Sequence, residues 1–174
     1  VVSGEHAYIF ASYEKPPSPM LLTRIPLNGL AAAKENLQYL ANDDSWKPGL
    51  DPSNAKYVMT PGASEMSVRY HPGLKKWVAV MIGQPFPSDK ILFRTAPELA
   101  GPWSDGQVIH RIAEMQPSSP GYDKDTFCYA AKEHPEFEAP GNLFFTYVCN
   151  SFTVSKVAKM PSIYFPQTVT MPMP

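Results

Sequence analysis

The chain has 174 residues, enough for one buried core, with 44% apolar, 12% aromatic and only 18% charged residues. A formal net charge of −1 gives no electrostatic case for nucleic acid or an anionic membrane, and no apolar run approaches the roughly 20 residues of a membrane-spanning helix. Twenty prolines, about twice the usual share, break helices and punctuate loops, so an all-β, turn-rich fold follows.

In chain order, residues 7–13 read as a strand, 15–19 as a proline-rich loop and 20–25 as the partner strand. Residues 30–40 form the one helical candidate, on the propensity of Ala31-Ala32-Ala33-Lys34-Glu35, and their last four residues already resemble strand. Residues 42–53 read as a loop holding Trp46, and 57–60 as a short strand. The clearest hairpin follows, 66–70 with 76–82, turned through His71-Pro72-Gly73-Leu74, where proline presets φ and glycine permits the tight turn. Strands are expected at 90–95 and 108–112, then at 126–132 paired with 143–149, and then at 153–159 and 164–170. The tail Met171-Pro172-Met173-Pro174 is not expected to continue a ladder. No signal peptide is legible ahead of the first strand, which for an internal or processed piece says nothing about secretion.

The order of these parts repeats. An inner stretch near His-Pro and a long apolar run lead to a further strand and a closing turn: Ser64-Glu65-Met66-Ser67-Val68-Arg69-Tyr70-His71-Pro72, Trp77 to Ile82, Ile91-Leu92-Phe93-Arg94, then Gly101-Pro102-Trp103-Ser104. Tyr129-Ala130-Ala131-Lys132-Glu133-His134-Pro135 opens a second copy, and Leu21-Leu22-Thr23-Arg24-Ile25-Pro26 with Trp46 belongs to an earlier, incomplete one. A repeat of roughly 55–70 residues built of about four short strands is the pattern of a β-propeller blade. Modules at about 1–55, 56–115 and 116–174 within a single domain are expected. A sandwich also accommodates many short strands, but serial recurrence fits blades better than a Greek key.

Over Ser64-Glu65-Met66-Ser67-Val68, Ile91-Leu92-Phe93-Arg94-Thr95-Ala96 and Gly101-Pro102-Trp103-Ser104, the sequence resembles a family of five-bladed β-propellers. These are secreted domains long catalogued as of unknown function, some of them assigned as endo-D-arabinanases. Their architecture is similar to that of the arabinanase, xylosidase and fructosidase propellers. Tyr129-Ala130, His134-Pro135 and Phe145-Thr146-Tyr147 look like the last blade, and Tyr8-Ile9-Phe10 with Thr23-Arg24-Ile25-Pro26 like an earlier one. The resemblance implies an all-β, partial propeller of antiparallel four-stranded meanders, corresponding to the C-terminal three of five blades. It implies a secreted glycoside hydrolase acting on a polysaccharide. The first two blades, which usually carry one essential carboxylate, have no counterpart in the sequence, so a second chain or a further N-terminal segment is expected to complete the ring.

Glycoside hydrolysis needs two carboxyl groups across the scissile bond. Glu65 stands just before the inner strand of the clearest module, between small Ser64 and Ser67, and is the candidate general acid; a strand-edge cap or a pair with Arg69 is its structural reading. Asp125, with Asp123, occupies the equivalent approach to the next inner strand, where an Asp-rich turn is the competing reading. Arg69 shares a face with Glu65 on an extended strand and, with Tyr70, Tyr129 and His134, is a candidate for substrate binding. His71 and His134 recur at His-Pro positions and read first as turn anchors; Trp46 and Trp103 read first as packing. No Gly-x-Ser-x-Gly elbow, phosphate loop or zinc spacing is present, so no cofactor and no metal is expected. Cys128 and Cys149 flank the turn at 136–142, and folding that hairpin about its centre sets them nearly opposite; a cross-strand disulfide, which would favour an oxidising compartment, and two buried thiols both remain open. Two readings stand beside the hydrolase: a non-catalytic carbohydrate-binding propeller, and an assembly protein that pairs through open edge strands.

Overall fold

The computed structural model describes residues 1–13, 15 and 17–174; Pro16, inside the expected proline-rich loop, lies outside the described residues. Six strands build the first sheet: β1 (Val2–Ser3), β2 (His6–Ser12), β3 (Met20–Pro26), β4 (Gln38–Leu40), β5 (Trp46–Pro48) and β6 (Tyr57–Met59). Their order is β1-β2-β3-β4-β5, with β6 pairing β3 off that path. With partners on both edges, β3 can bury a run of apolar residues at its start, and Met20, Leu21 and Leu22 are almost completely buried. Leu21 packs with Tyr39, Ala41 and Ala55.

Between β3 and β4 the expected helix shortens to a 3-10 turn at Leu27–Ala32 and a single turn α1 (Ala33–Asn36) before strand resumes. Trp46 is not in a loop. It opens β5 opposite Leu40, and the Arg24 guanidinium lies 4.1 Å over its ring while Arg24 Nε donates to Gln38 Oε1 at 2.8 Å. That stack gives an otherwise loop-like sequence a reason to pair.

The second sheet is the meander β7 (Met66–His71), β8 (Lys76–Ile82), β9 (Lys90–Ala96) and β10 (Gln107–Arg111), in the order β10-β9-β8-β7. Its apolar run Val78-Ala79-Val80-Met81 is fully buried. The turn after β9 explains its Gly-Pro-Trp sequence: Gly101 has φ +91°, and a Cβ there would stand 2.9 Å from the Trp103 backbone nitrogen. The Trp103 indole donates to the Leu99 carbonyl at 3.1 Å and meets Phe10 edge-on.

β11 (Thr126–Glu133), β12 (Asn142–Ser151) and β13 (Gln167–Pro172) form the third sheet, antiparallel with β12 in the middle. β12 alternates strictly: Leu143, Phe145, Tyr147, Cys149 and Ser151 are buried, and the residues between them only half so. Cys128 pairs with Cys149 across the ladder and the two form a disulfide. Two expectations fail here. The segment read as a strand at 153–159 is the helix α2 (Val154–Lys159), whose apolar Val154, Val157 and Ala158 follow helical spacing. The tail does continue the ladder, with Met171 opposite Leu143 and Pro172 opposite Asn142; as an edge strand, β13 tolerates a residue without an N–H.

By compactness the chain divides into a first unit, Val1–Ser64, Arg69–Trp77 and Ala96–Ser104, and a second, Glu65–Val68, Val78–Thr95 and Asp105–Pro174. Among the described residues no helix is long and apolar enough to cross a membrane.

Candidate functional site

Of the residues singled out from sequence, Glu65, Asp125, Tyr129 and His134 belong to the second unit, and Arg69 and Tyr70 to the first. Tyr70 is part-exposed and packs edge-on against Trp77, with ring centroids 5.5 Å apart; Arg69 is half-buried.

Strand alternation on β11 sets Phe127 and Tyr129 on one face and Thr126 and Cys128 on the other. Just past Tyr129 the register with β12 shifts by one residue, and Ala130 takes φ +54°, a left-handed conformation uncommon outside glycine. The Tyr129 hydroxyl donates to the Tyr164 hydroxyl at 3.2 Å. Partial burial, the bond to Tyr164 and the charge of Glu65 all push the Tyr129 phenol above its ordinary range, while a hydrogen bond with the Asn150 side chain opposes them. Glu65 is thus within electrostatic reach of Tyr129, and is itself exposed. Aromatic rings surround the cluster: Phe127 lies nearly parallel to Tyr129 at 5.7 Å, Phe152 stacks on Phe127 at 4.4 Å, and Phe86 meets Phe127 edge-on. Phe152 is 63% exposed and Tyr164 50%. The result is one carboxylate, two phenols and a carboxamide beside open aromatic surface.

Asp125 is committed differently. Asp123 Oδ1 accepts the Asp125 backbone N–H at 2.9 Å, and Asp125 Oδ2 accepts from the Thr153 hydroxyl at 3.0 Å and from Lys156 Nζ at 3.2 Å. Lys156 also pairs with Asp123. These bonds, that from Lys156 foremost, hold both carboxyls below the usual carboxylate range, and Asp123 in turn raises Lys156. Asp125 is therefore a fixed, ionised acceptor that fastens α2 to the start of β11. His134 uses both ring nitrogens, one with Thr146 Oγ1 at 2.8 Å and one with Glu136 at 3.2 Å, the geometry of a turn anchor.

A third group was not visible in the sequence. The buried Tyr147 hydroxyl donates to Glu114 Oε2 at 3.3 Å, and His110 packs against Tyr147 with ring centroids 5.6 Å apart. Burial and the Glu114 charge push the Tyr147 phenol far up, whereas burial lowers His110 against the opposing field of Glu114. Glu114 also lines a cleft of about 390 Å³ with Asp123, Thr126, Met160, Ser162 and Gln167. Tyr147 and Glu114 lie 33 residues apart, and Tyr129 and Tyr164 35; Glu114 and Tyr164 stand in 3-10 turns that pack against the strands, and no local motif announces such a meeting. Asn150 had a signal, since hairpin register sets it near Tyr129. Among the described residues no three His, Cys, Asp or Glu side chains gather as a metal site.

Residues 1–165 match a family model described as a domain of unknown function, DUF4185. The chain also resembles a solved structure from Bacteroides ovatus ATCC 8483 described as "a putative hydrolase", with a TM-score of 0.67 at 13% identity. The match covers 94% of this chain and 41% of that one, and at such identity it shows a shared fold. No curated protein matches the sequence.

Proposed function

The chain belongs to the DUF4185 family, and from the groups gathered around Tyr129 we propose that it contributes to a glycoside hydrolase acting on a polysaccharide, in the manner of an endo-arabinanase. The observation that carries the reading is the Tyr129 hydroxyl bonded to Tyr164 beside Asn150, with the exposed Glu65 carboxylate close enough for its charge to act on the phenol. In this reading a protonated Glu65 gives its proton to the glycosidic oxygen as the C–O bond breaks, and a water adds to the sugar carbon, losing its proton to a second carboxylate. Tyr129, Tyr164 and Asn150 supply donors and acceptors for sugar hydroxyls; Arg69, Tyr70 and His134 are the further binding candidates. Asp125, ionised and next to the inner strand, is the nearest candidate for the second carboxylate in sequence terms, unless that group comes from outside the chain.

The chain spans 41% of the length of the structure it resembles; from the serial modules of its sequence we place it as about three blades of a five-bladed propeller, completed by a second chain or a further segment. The Cys128–Cys149 disulfide supports a secreted protein, because such bonds persist in oxidising compartments.

One observation favours a second reading, a propeller that binds carbohydrate without turnover: Lys156 and Thr153 already occupy Asp125 Oδ2. Release of reducing ends from a polysaccharide panel, with the complete protein, separates the two. Under the hydrolase reading Glu65→Gln lowers turnover by about a hundredfold or more and leaves polysaccharide binding intact. Binding without turnover in the unsubstituted protein selects the second reading, and turnover that survives Glu65→Gln removes this residue from the mechanism.

A further inference from the structure

The geometry points to a second binding site in the same unit: the cleft lined by Glu114, Thr126, Ser162 and Gln167, taking a neutral polyhydroxylated ligand the size of a single sugar. It is separate from the Glu65–Tyr129 cluster. On β11, Thr126 faces away from Phe127 and Tyr129, and on β12 the cleft residue Cys149 faces away from Asn150. The cleft volume of about 390 Å³ falls within the span of small-molecule pockets, about 300–1,000 Å³.

The lining sets the ligand class. Glu114 and Asp123 are both hydrogen-bond acceptors here, the first receiving the Tyr147 hydroxyl and the second paired with Lys156. Carboxylate lone pairs that remain take O–H donors and repel anions. The Thr126 and Ser162 hydroxyls and the Gln167 carboxamide oxygen complete a polar edge, the carboxamide nitrogen already donating to the Phe165 carbonyl. Met160 and Ile163 supply an apolar wall against which C–H groups can lie. One polar edge and one apolar wall match a sugar ring, which carries its hydroxyls around the rim and C–H groups on its faces. A diamine would satisfy the carboxylates but leave the hydroxyls and the carboxamide unused, since Lys156 already neutralises Asp123.

The residues from Met160 to Ile163 on this wall run directly into Tyr164, which reaches Tyr129. α2, fastened by Lys156, holds the front of the same segment. A sugar in the cleft therefore sits beside the proposed hydrolytic cluster without touching Glu65. The proposal needs binding and no turnover, so it stands or falls independently of the hydrolase reading.

Saturation-transfer NMR on the intact, disulfide-bonded protein with arabinose, xylose, glucose and galactose, and with putrescine as the cationic comparison, tests it. Sugar signals are expected from the unsubstituted protein, weakened at least tenfold in apparent affinity by Ser162→Trp, which fills the cleft from an exposed position, and by Glu114→Ala. Thr126→Val replaces either variant that loses its folded near-UV signature. Absence of sugar binding at millimolar concentration overturns the site, as does binding of putrescine alone. Sugar binding kept at full strength in Ser162→Trp also overturns it, because the ligand then sits outside the cleft.

Discussion

Glu65 and Asp125 stand one residue ahead of β7 and β11, at equivalent positions in successive modules, yet their surroundings give them different chemistry. Asp125 has Lys156 and Thr153 as partners; Glu65 is exposed and its charge acts weakly on the Tyr129 phenol. The difference comes from α2, which the other module lacks, and so from a cation far along the chain. Its pH behaviour follows from the directions of the shifts. Asp123 and Asp125 titrate lower in the folded protein than unfolded, so their ion pairs contribute fully above the ordinary carboxylate range, near about pH 4, and are lost as pH falls through the folded values. Lys156 titrates higher when folded; its contribution is full below about pH 10 and disappears as pH rises through the raised value. Neutral pH therefore lies inside the window in which α2 is tied down. Amide exchange over residues 154–164 should accelerate in Lys156→Met at neutral pH, with β8 unchanged, and the unsubstituted protein should loosen locally in the same way as pH falls below the ordinary carboxylate range, after correction for intrinsic exchange. Equal protection in both proteins at neutral pH would show that Lys156 does not fasten the helix.

At the scale of elements, the third sheet owes its definition to one covalent bond and one alternating strand. The Cys128–Cys149 disulfide closes a sequence separation of 21, and removing a loop constraint of that size costs about 3 kcal/mol. Urea unfolding of the Cys128→Ala/Cys149→Ala protein should show that loss, whereas an unchanged midpoint would mean that β12 alone, with Phe145 and Leu143 fully buried, holds the hairpin. The pairing was within reach of the sequence, because hairpin geometry depends on positions counted from a local turn. The Gly-Pro-Trp turn was legible for the same reason: Gly101 needs its positive φ within the turn itself. Elements whose state depends on distant partners were not. Trp46-Lys47-Pro48 pairs as β5 beside an Arg24 that stands 22 positions earlier in the sequence, and the strand expected at 153–159 followed its β-branched content, whereas the spacing of Val154 and Val157 is that of the helix α2. At the candidate site this divides the residues cleanly. Glu65 and Tyr129 could be picked from module order and Asn150 from hairpin register, while Tyr164, Glu114 and Lys156, carried on helical turns, reach their places only by packing against the sheet.

For the whole molecule, the decisive quantity is apolar surface left to solvent. The second unit exposes Phe137, Phe152, Val154 and Phe165 to 62% or more, and the first exposes Val2 to 64%. One face of β12 is only half-buried along its whole length. Single exposed apolar residues are ordinary; the partial-propeller proposal takes these large ones as surface that further blades cover, and open edge strands invite pairing. A propeller completed by further blades would cover both. Native mass spectrometry of material from the producing organism should then find the 19.3 kDa chain within a heavier species, as a complex or as part of a longer polypeptide, and that species should bind less of a hydrophobic dye than the isolated chain. A monodisperse monomer of 19.3 kDa that stays soluble and binds little dye would show that the exposed aromatics need no cover. The partial-propeller proposal would fall with that result, and the hydrolase reading of Glu65 would then lack the second half of its active site.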